Sequence, residues 1–167
     1  MYLPDDYQPL GPQVPGAPGI WINGGGNSGD WSDKWEIKRV FMRIQTGPAR
    51  WMYQGQYKIK RVRSMTKEEW ARQKPAVRNK WAKEICRKGW GAGMLIDIYV
   101  RREHPGEILT DEQYDKIEDR KLYLSVGHQE VAMALTNGEE TMSLYTMKEK
   151  AQRLREAKGQ RGPEGKV

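Results

Sequence analysis

The amino-acid sequence predicts an α+β domain, and three observations lead to this class. Segments 36–44 and 50–62 alternate apolar and polar residues on either side of Gly47-Pro48, which predicts a β-hairpin. Capping boxes that begin at Thr66 and Thr110 open two segments of helical character. Only 37% of the residues are hydrophobic, but seven Trp and eight Tyr supply enough large apolar surface for a folded core.

The first 18 residues are predicted to form a Pro-rich N-terminal arm, with prolines at positions 4, 9, 12, 15 and 18. Such spacing is typical of a linker that leads into a domain, or of an extended ligand for an SH3-like or WW-like groove. The domain itself is predicted over 19–147 and begins with a short strand at 19–22. The glycine-rich segment 23–33 lacks the spacing of a P-loop or a dinucleotide site, so we expect a loop whose backbone a ligand can approach.

Each strand of the hairpin is predicted to present one apolar face. In the first strand this face comprises Val40, Met42 and Ile44. In the second strand one face comprises Trp51, Tyr53, Tyr57 and Ile59, and the opposite face comprises Gln54, Gln56, Lys58 and Lys60. Gly55 interrupts the aromatic face, which indicates a bulge or a place where another group approaches the backbone.

Two helices and a further strand are predicted after the hairpin. A short helix runs from Thr66 to about Gln73, and a second helix follows Pro75 over 76–87. The buried stripe of the second helix comprises Val77, Trp81 and Ile85. Segment 94–102 is predicted to be a long strand with a core face that comprises Met94, Ile96, Ile98 and Val100.

The second half of the domain is predicted to be mainly helical. A helix opens at the Thr110 capping box and extends to about Leu124, and a shorter helix covers 129–135. A last strand is expected at 141–146. Residues 148–167 hold 7 Lys and Arg against 3 Asp and Glu, and they have high helix propensity but almost no apolar stripe. We therefore predict a basic C-terminal extension that is either a frayed helix or disordered.

Charge is distributed unevenly along the chain. The net charge is +7, yet residues 34–102 hold 19 Lys and Arg against 5 Asp and Glu, whereas residues 103–147 hold 3 against 10. A basic block that also concentrates aromatic residues predicts binding to a polyanion, and we favour nucleic acid. A solvated basic face without a partner is the simpler alternative.

Several functional classes are disfavoured by the motifs that the sequence lacks. No apolar run has the length of a membrane span, and a single cysteine, Cys86, fits a reducing intracellular compartment. Cys86, His104 and His128 are too far apart for a zinc site of known spacing. Because there is also no nucleophile elbow, HExxH pair, Walker motif or CxxC, we predict no enzymatic activity, no cofactor and no metal.

The second hairpin strand also supports a comparison with known domains. The segment WMYQGQYKIKRV resembles the Tyr-x-Gly-x-Tyr-x-Val/Ile strand of SRA (SET and RING associated) domains, with Gln54 at a position that is often acidic there. Over residues 17–147, the order of PGxW, RVFxRI, RWMYQGQYKI, MTKEEW, VRNKWAKEI and TNGEE is similar to a fungal domain family of unknown function. SRA domains are PUA-like barrels that flip a modified cytosine out of duplex DNA. The resemblance therefore implies a PUA/SRA-like, strongly bent β-sheet or barrel flanked by helices.

A non-enzymatic, double-stranded-DNA-binding domain that reads a modified or flipped base is the function we expect. The base pocket would have aromatic walls from Trp31, Trp51 and Tyr53, and base-edge contacts from Asn23, Asp30 and Gln54. Phosphates would be neutralised by Arg50, Lys58, Lys60, Arg61, Arg78, Lys80 and Lys83. DNA binding would place the protein in the nucleus.

Two other functions stay open at this point. RNA binding differs only in the ligand, and the sequence does not separate it from DNA binding. A protein-interaction module would instead use the Pro-rich arm and the acidic surface of residues 103–147.

Overall fold

The computed structural model describes residues 1–24 and 34–150, and it confirms the α+β class. In the described residues a strongly curled half-barrel sheet of five strands is accompanied by helices. The strands are β1 (Tyr2–Leu3), β2 (Gly19–Asn23), β3 (Glu36–Thr46), β4 (Ala49–Ser64) and β5 (Ser143–Glu149). The helices are α1 (Lys67–Arg72), α2 (Pro75–Arg87), α3 (Ala92–Glu103), α4 (Asp111–Asp119) and α5 (His128–Asn137).

The two faces of the sheet pack against different parts of the molecule. Its strand order is β1-β3-β4-β5-β2, and β1 runs parallel to β3 while the other neighbours are antiparallel. We define the inner face as the face that carries the buried cluster of Leu3, Val40, Met42, Tyr57, Ile59, Tyr145 and Met147. The opposite face is the outer face, and the helical core packs against it beside β2 and β5 through Ile22 and Leu144.

The N-terminal arm packs against the sheet. The Gln8 side chain pairs with the backbone of Ile22 in both directions, donating to its carbonyl at 2.7 Å and accepting from its amide at 3.0 Å. Farther along, the Gly16 amide donates to the carbonyl of Gln54 at 3.1 Å, and the Tyr57 hydroxyl donates to the carbonyl of Ala17 at 2.9 Å. The arm therefore runs from the β1 edge to the β2 edge and covers part of the inner face.

The first two predicted helices are confirmed. The Thr66 capping box is present, and its Glu69 also accepts two hydrogen bonds of 2.6 Å from Arg63 at the end of β4. These bonds from Arg63, together with the bond from the Thr66 amide, lower the pKa of the Glu69 carboxyl to about 2. The predicted stripe of α2 is buried and belongs to the helical core, with Val77, Trp81 and Ile85 among its members.

The strand predicted over 94–102 is wrong, because this segment forms α3. Its buried residues are Met94, Leu95 and Ile98, a spacing that fits one side of a helix and not one face of a strand. The turn before α3 is also tight, since a Cβ atom on Gly91 would lie 2.1 Å from the carbonyl oxygen of Ile85. The apolar residues at 94, 96, 98 and 100 happened to alternate as they would in a strand.

The helix predicted from Thr110 to about Leu124 is shorter than expected. α4 ends at Asp119, and Lys121 then adopts a left-handed conformation with φ of 52°, which stops the helix. Leu124 consequently lies in a short 3₁₀ turn (Leu122–Ser125) and is exposed. The later helix and the last strand are confirmed as α5 and β5, although β5 begins two residues later than predicted.

A β-bulge in β4 reverses the faces predicted for its two ends. Val40 of β3 pairs with Gly55 and Phe41 pairs with Tyr53, so Gln54 has no partner residue on β3. Gly55 has φ of +130°, a conformation that side-chain-bearing residues rarely adopt. The bulge itself is confirmed, but its effect on the side chains is not the one predicted.

The predicted common face of Trp51, Tyr53, Tyr57 and Ile59 is therefore wrong. Beyond the bulge, Tyr57 and Ile59 are buried on the inner face, whereas Trp51 and Tyr53 before it point to the outer face. Ile44 is also not a core residue, because it lies close to the hairpin turn and is 57% exposed.

Candidate nucleic-acid interface

The outer face of β3, β4 and β5 concentrates positive charge. Strand pairing places six cationic residues there, namely Arg39, Arg43, Lys58, Lys60, Lys148 and Arg63, of which Arg63 forms an ion pair with Glu69 of α1. The two carboxylates of these strands, Glu36 and Glu149, instead pair with Ile59 and Tyr57 at inner-face positions. Because side chains alternate between faces, the outer strand positions carry bases and no acid.

Lys58 and Lys148 stand directly opposite each other on this face. Like charges at directly opposed positions destabilise an antiparallel pair. Neither ammonium group has an ion pair with an acid in the described residues, and Lys148 instead lies 5.9 Å from the centroid of the Trp35 ring. A bound anion would relieve this repulsion.

Four aromatic rings form a continuous surface next to these cations. Tyr2 stacks on Phe41 with centroids 5.0 Å apart, and it meets Trp51 edge-on at 5.1 Å. The ring centroids of Tyr53 and Phe41 are 5.2 Å apart. Trp51 is 37% and Tyr53 45% exposed, so both rings offer surface to a ligand. We call this group, Tyr2, Phe41, Trp51 and Tyr53, the aromatic platform.

Of the six residues predicted to contact a base, the four that the structure describes are not brought together. Asp30 and Trp31 lie outside the described residues. Trp51 and Tyr53 belong to the aromatic platform on the outer face, whereas Asn23 occupies an inner-face position on β2. Gln54 is the bulge residue, and it is buried on the inner side. The bulge therefore divides the predicted pocket between two faces.

Asn23 contacts a tyrosine that sequence reasoning did not consider. Burial raises the pKa of the Tyr145 hydroxyl, and a hydrogen bond with the Asn23 side chain opposes this shift. The Tyr145 ring also packs against Trp21, with centroids 4.5 Å apart. Asn23 thus contributes to a polar end of the inner core.

Gln54 is only 1% exposed, and neither polar atom of its side-chain amide has a hydrogen-bond partner among residues 1–24 and 34–150. The backbone carbonyl of Gln54 accepts a hydrogen bond from the Gly16 amide, so this residue lies next to the N-terminal arm. A buried amide without partners costs free energy because it has lost its hydrogen bonds to water.

We therefore expect Gln54→Met to raise the free energy of unfolding by about 1–2 kcal/mol, because an apolar side chain of similar length carries no such cost. Urea denaturation followed by circular dichroism measures the change. Gln56→Met is the matched control on the outer face of the same strand, where we expect a change within about 0.5 kcal/mol. A loss of stability in Gln54→Met would show that the amide makes a bond on which the fold depends.

The seven predicted phosphate ligands divide into three groups. Arg50, Lys58 and Lys60 lie at the hairpin end or on the outer face of β4. Arg61 is at an inner position and donates to Ser64 at 3.2 Å. Arg78, Lys80 and Lys83 are on α2, where Lys80 pairs with Glu84 at 3.2 Å and with Asp6 at 3.8 Å.

The residues of the interface that were not among the predicted site residues include Tyr2, Arg39, Phe41, Arg43 and Lys148. The alternation of residues in β3 places Arg39 and Phe41 on a common face, so the sequence alone could have identified these two residues. No local signal identifies Tyr2, because its position depends on parallel pairing with Phe41, a residue distant in the chain.

A second concave region lies in the acidic, helical half. This cavity of about 400 Å³ is lined mainly by polar and titratable residues: Asp97, Arg101, His104, Glu107, Glu139 and Glu140. Burial raises the pKa of the Glu140 carboxyl, and a hydrogen bond of 2.5 Å from Arg101 opposes this shift. Within the described ranges, no group of three or more His, Cys, Asp or Glu side chains has an arrangement that could hold a metal ion. We call this region the acidic cavity.

No helix within residues 1–24 and 34–150 has the length and apolar character needed to cross a bilayer.

The comparisons with known proteins identify a family. A family model described as "Domain of unknown function (DUF6697)" matches residues 1–149, which include the N-terminal arm and every strand and helix described above. No curated protein and no solved structure matches the chain. Because the match covers most of the sequence, the chain belongs to the DUF6697 family.

Proposed function

We propose that this domain is a non-enzymatic nucleic-acid-binding module that uses the outer face of its sheet. The observation that carries the proposal is the sorting of charge by strand pairing, which directs Arg39, Lys58, Lys60 and Lys148 to one face and the strand carboxylates to the other. A sheet surface of cations beside exposed rings is a common arrangement for nucleic-acid binding.

The resemblance to SRA domains favours DNA over RNA and supports a nuclear location. The fungal origin, the SRA-like relationship and the reading of a modified or flipped base stay predictions. The aromatic platform is the described surface best suited to an exposed base, because its rings face solvent beside cations.

A protein partner for the Pro-rich arm has less structural support. Such a partner would bind an extended arm, yet Gln8, Gly16 and Ala17 make hydrogen bonds to the sheet. These contacts would have to break before the arm became available.

The salt dependence of DNA binding tests the electrostatic part of the proposal. Four phosphate contacts by the outer-face cations predict a slope of about −3 to −4 in a plot of log affinity against log salt. We expect Arg39→Glu/Lys58→Glu to weaken binding at 50 mM salt at least about tenfold and to make the slope shallower by roughly two. Fluorescence polarisation with a labelled oligonucleotide measures both quantities.

The control variant is Lys116→Glu/Arg120→Glu, which changes the net charge by the same amount at exposed positions of the helical half. It should bind nearly as well as the unaltered protein if the interface is local. Equal weakening by the two variants would show that net charge alone drives binding. Affinity that does not respond to salt would contradict the proposal.

A further inference from the structure

We propose that the aromatic platform selects unpaired bases, so that the preferred ligand is a single-stranded segment of nucleic acid. This inference rests on the proposed function and specifies its substrate class. The platform provides rings whose surfaces point away from the protein, whereas the bases of a duplex are already stacked on one another. Unpaired bases gain stacking on such rings, and paired bases do not.

The rings of the aromatic platform are much more exposed than the Tyr57 ring on the inner face of the same sheet. Tyr2 is 63% exposed, and Trp51 and Tyr53 also remain open to solvent, although the same strands bury Tyr57 completely on the inner face. Mutual packing accounts for part of the contact between the rings, but it leaves their outward surfaces without a partner in the described residues. A contiguous exposed apolar surface that borders polar residues is a common mark of a binding site.

The cationic residues near the aromatic platform are arranged along a line that suits the phosphates of a nucleic-acid strand. Along the outer face of β4, Trp51 and Tyr53 are followed by Lys58 and Lys60, which gives a strip roughly 30 Å long at the usual rise per residue. Arg39 lies between the two ends, opposite Gln56. Bases would stack at the Trp51 end while the phosphates of the same strand pass the lysines.

Arg43 holds one side of the platform in place. Its guanidinium lies 5.9 Å from the centroid of the Trp51 ring and pairs with Asp6 at 2.5 Å. Because Asp6 also neutralises Arg43, this arginine orients Trp51 and contributes little charge to the ligand. The tryptophan ring is therefore positioned before a base arrives.

The test compares one nucleotide sequence in three forms: single-stranded DNA, single-stranded RNA and blunt duplex DNA. We expect each single strand, or at least one of them, to bind about tenfold or more tightly than the duplex. The two single-stranded probes distinguish DNA from RNA as the source of the bases, and preference for either one supports the proposal. A duplex that binds as well as both single strands would overturn it.

Ring variants test the role of stacking. Tyr53→Ala should weaken single-strand binding about tenfold or more and duplex binding little, while Tyr53→Phe should retain the preference because it keeps the ring. Tyr114→Ala removes a similarly exposed ring from α4 and serves as the control. Circular dichroism confirms that each variant is folded.

Fluorescence gives a second measurement that does not depend on removing a ring. Stacking of bases should quench tryptophan emission in the unaltered protein, and Trp51→Phe should lose most of that quenching while still binding. Quenching that is unchanged in Trp51→Phe would overturn the inference. Nucleic acid that binds with no strand preference leaves the proposed function intact, whereas no binding to any probe removes the proposed function itself.

Discussion

Trp81→Ala is expected to lower the free energy of unfolding by about 3–5 kcal/mol, the largest stability effect that the structure predicts. Trp81 is 2% exposed and lies in the helical core. Its ring meets Tyr7 of the N-terminal arm edge-on at 4.9 Å and Trp90 at 5.9 Å. Truncation would leave a cavity that these neighbours border, and it would loosen the arm from α2. Urea denaturation measures the loss.

Trp35→Ala is the matched control for this experiment. Trp35 is 45% exposed and precedes β3, so we expect a change in the free energy of unfolding within about 0.5 kcal/mol. If both substitutions had the same effect, the packing described around Trp81 would be incorrect.

Arg101→Met is expected to destabilise the protein at neutral pH by about 1–3 kcal/mol, because it leaves the buried Glu140 carboxylate without its partly exposed cation. Glu140 lies in the acidic cavity and is 7% exposed, and nearby Asp97 and Glu139 add negative charge. Removing Arg101 should therefore raise the pKa of Glu140 further. Urea denaturation at several pH values measures the free energy of unfolding of this variant.

The sign of the pH dependence follows from that raised pKa. The Glu140 carboxyl has a higher pKa in the folded protein than in the unfolded chain, where it is near 4.5. Its contribution to the free energy of unfolding is therefore complete below the unfolded pKa and is lost as the pH rises through the folded pKa. The deficit of Arg101→Met should thus be small in acid and large above neutrality. Arg101→Met/Glu140→Gln should recover most of the loss at neutral pH, and a deficit that is the same at every pH would exclude this explanation.

The elements that the sequence predicts well are those set by neighbouring residues. The Thr66 capping box and the stripe of Val77, Trp81 and Ile85 depend on spacings of three and four residues, which the sequence displays directly. The strand predicted for 94–102 is wrong because an apolar run of this length fits a strand or a buried helix equally well. Packing of this segment against α2, α5 and the 3₁₀ turn at Leu122–Ser125 distinguishes the two.

The candidate site was harder to predict, for two physical reasons. Gly55 indicates a bulge, but the sequence does not show that the bulge inserts Gln54 and thereby sends Trp51 and Tyr57 to opposite faces. Pairing between distant segments brings Tyr2 onto Phe41 and Lys148 beside Lys58. These contacts depend on the whole sheet, and no local pattern encodes them.

The bulge in β4 has a consequence for how the domain can change over time. Because one extra residue reverses the alternation of side chains, the first part of the strand presents its rings to solvent while the later part supports the core. Substitutions at Trp51 and Tyr53 can thus alter a ligand preference without disturbing Tyr57 and Ile59. A single strand in this way separates the evolution of recognition from the maintenance of the fold.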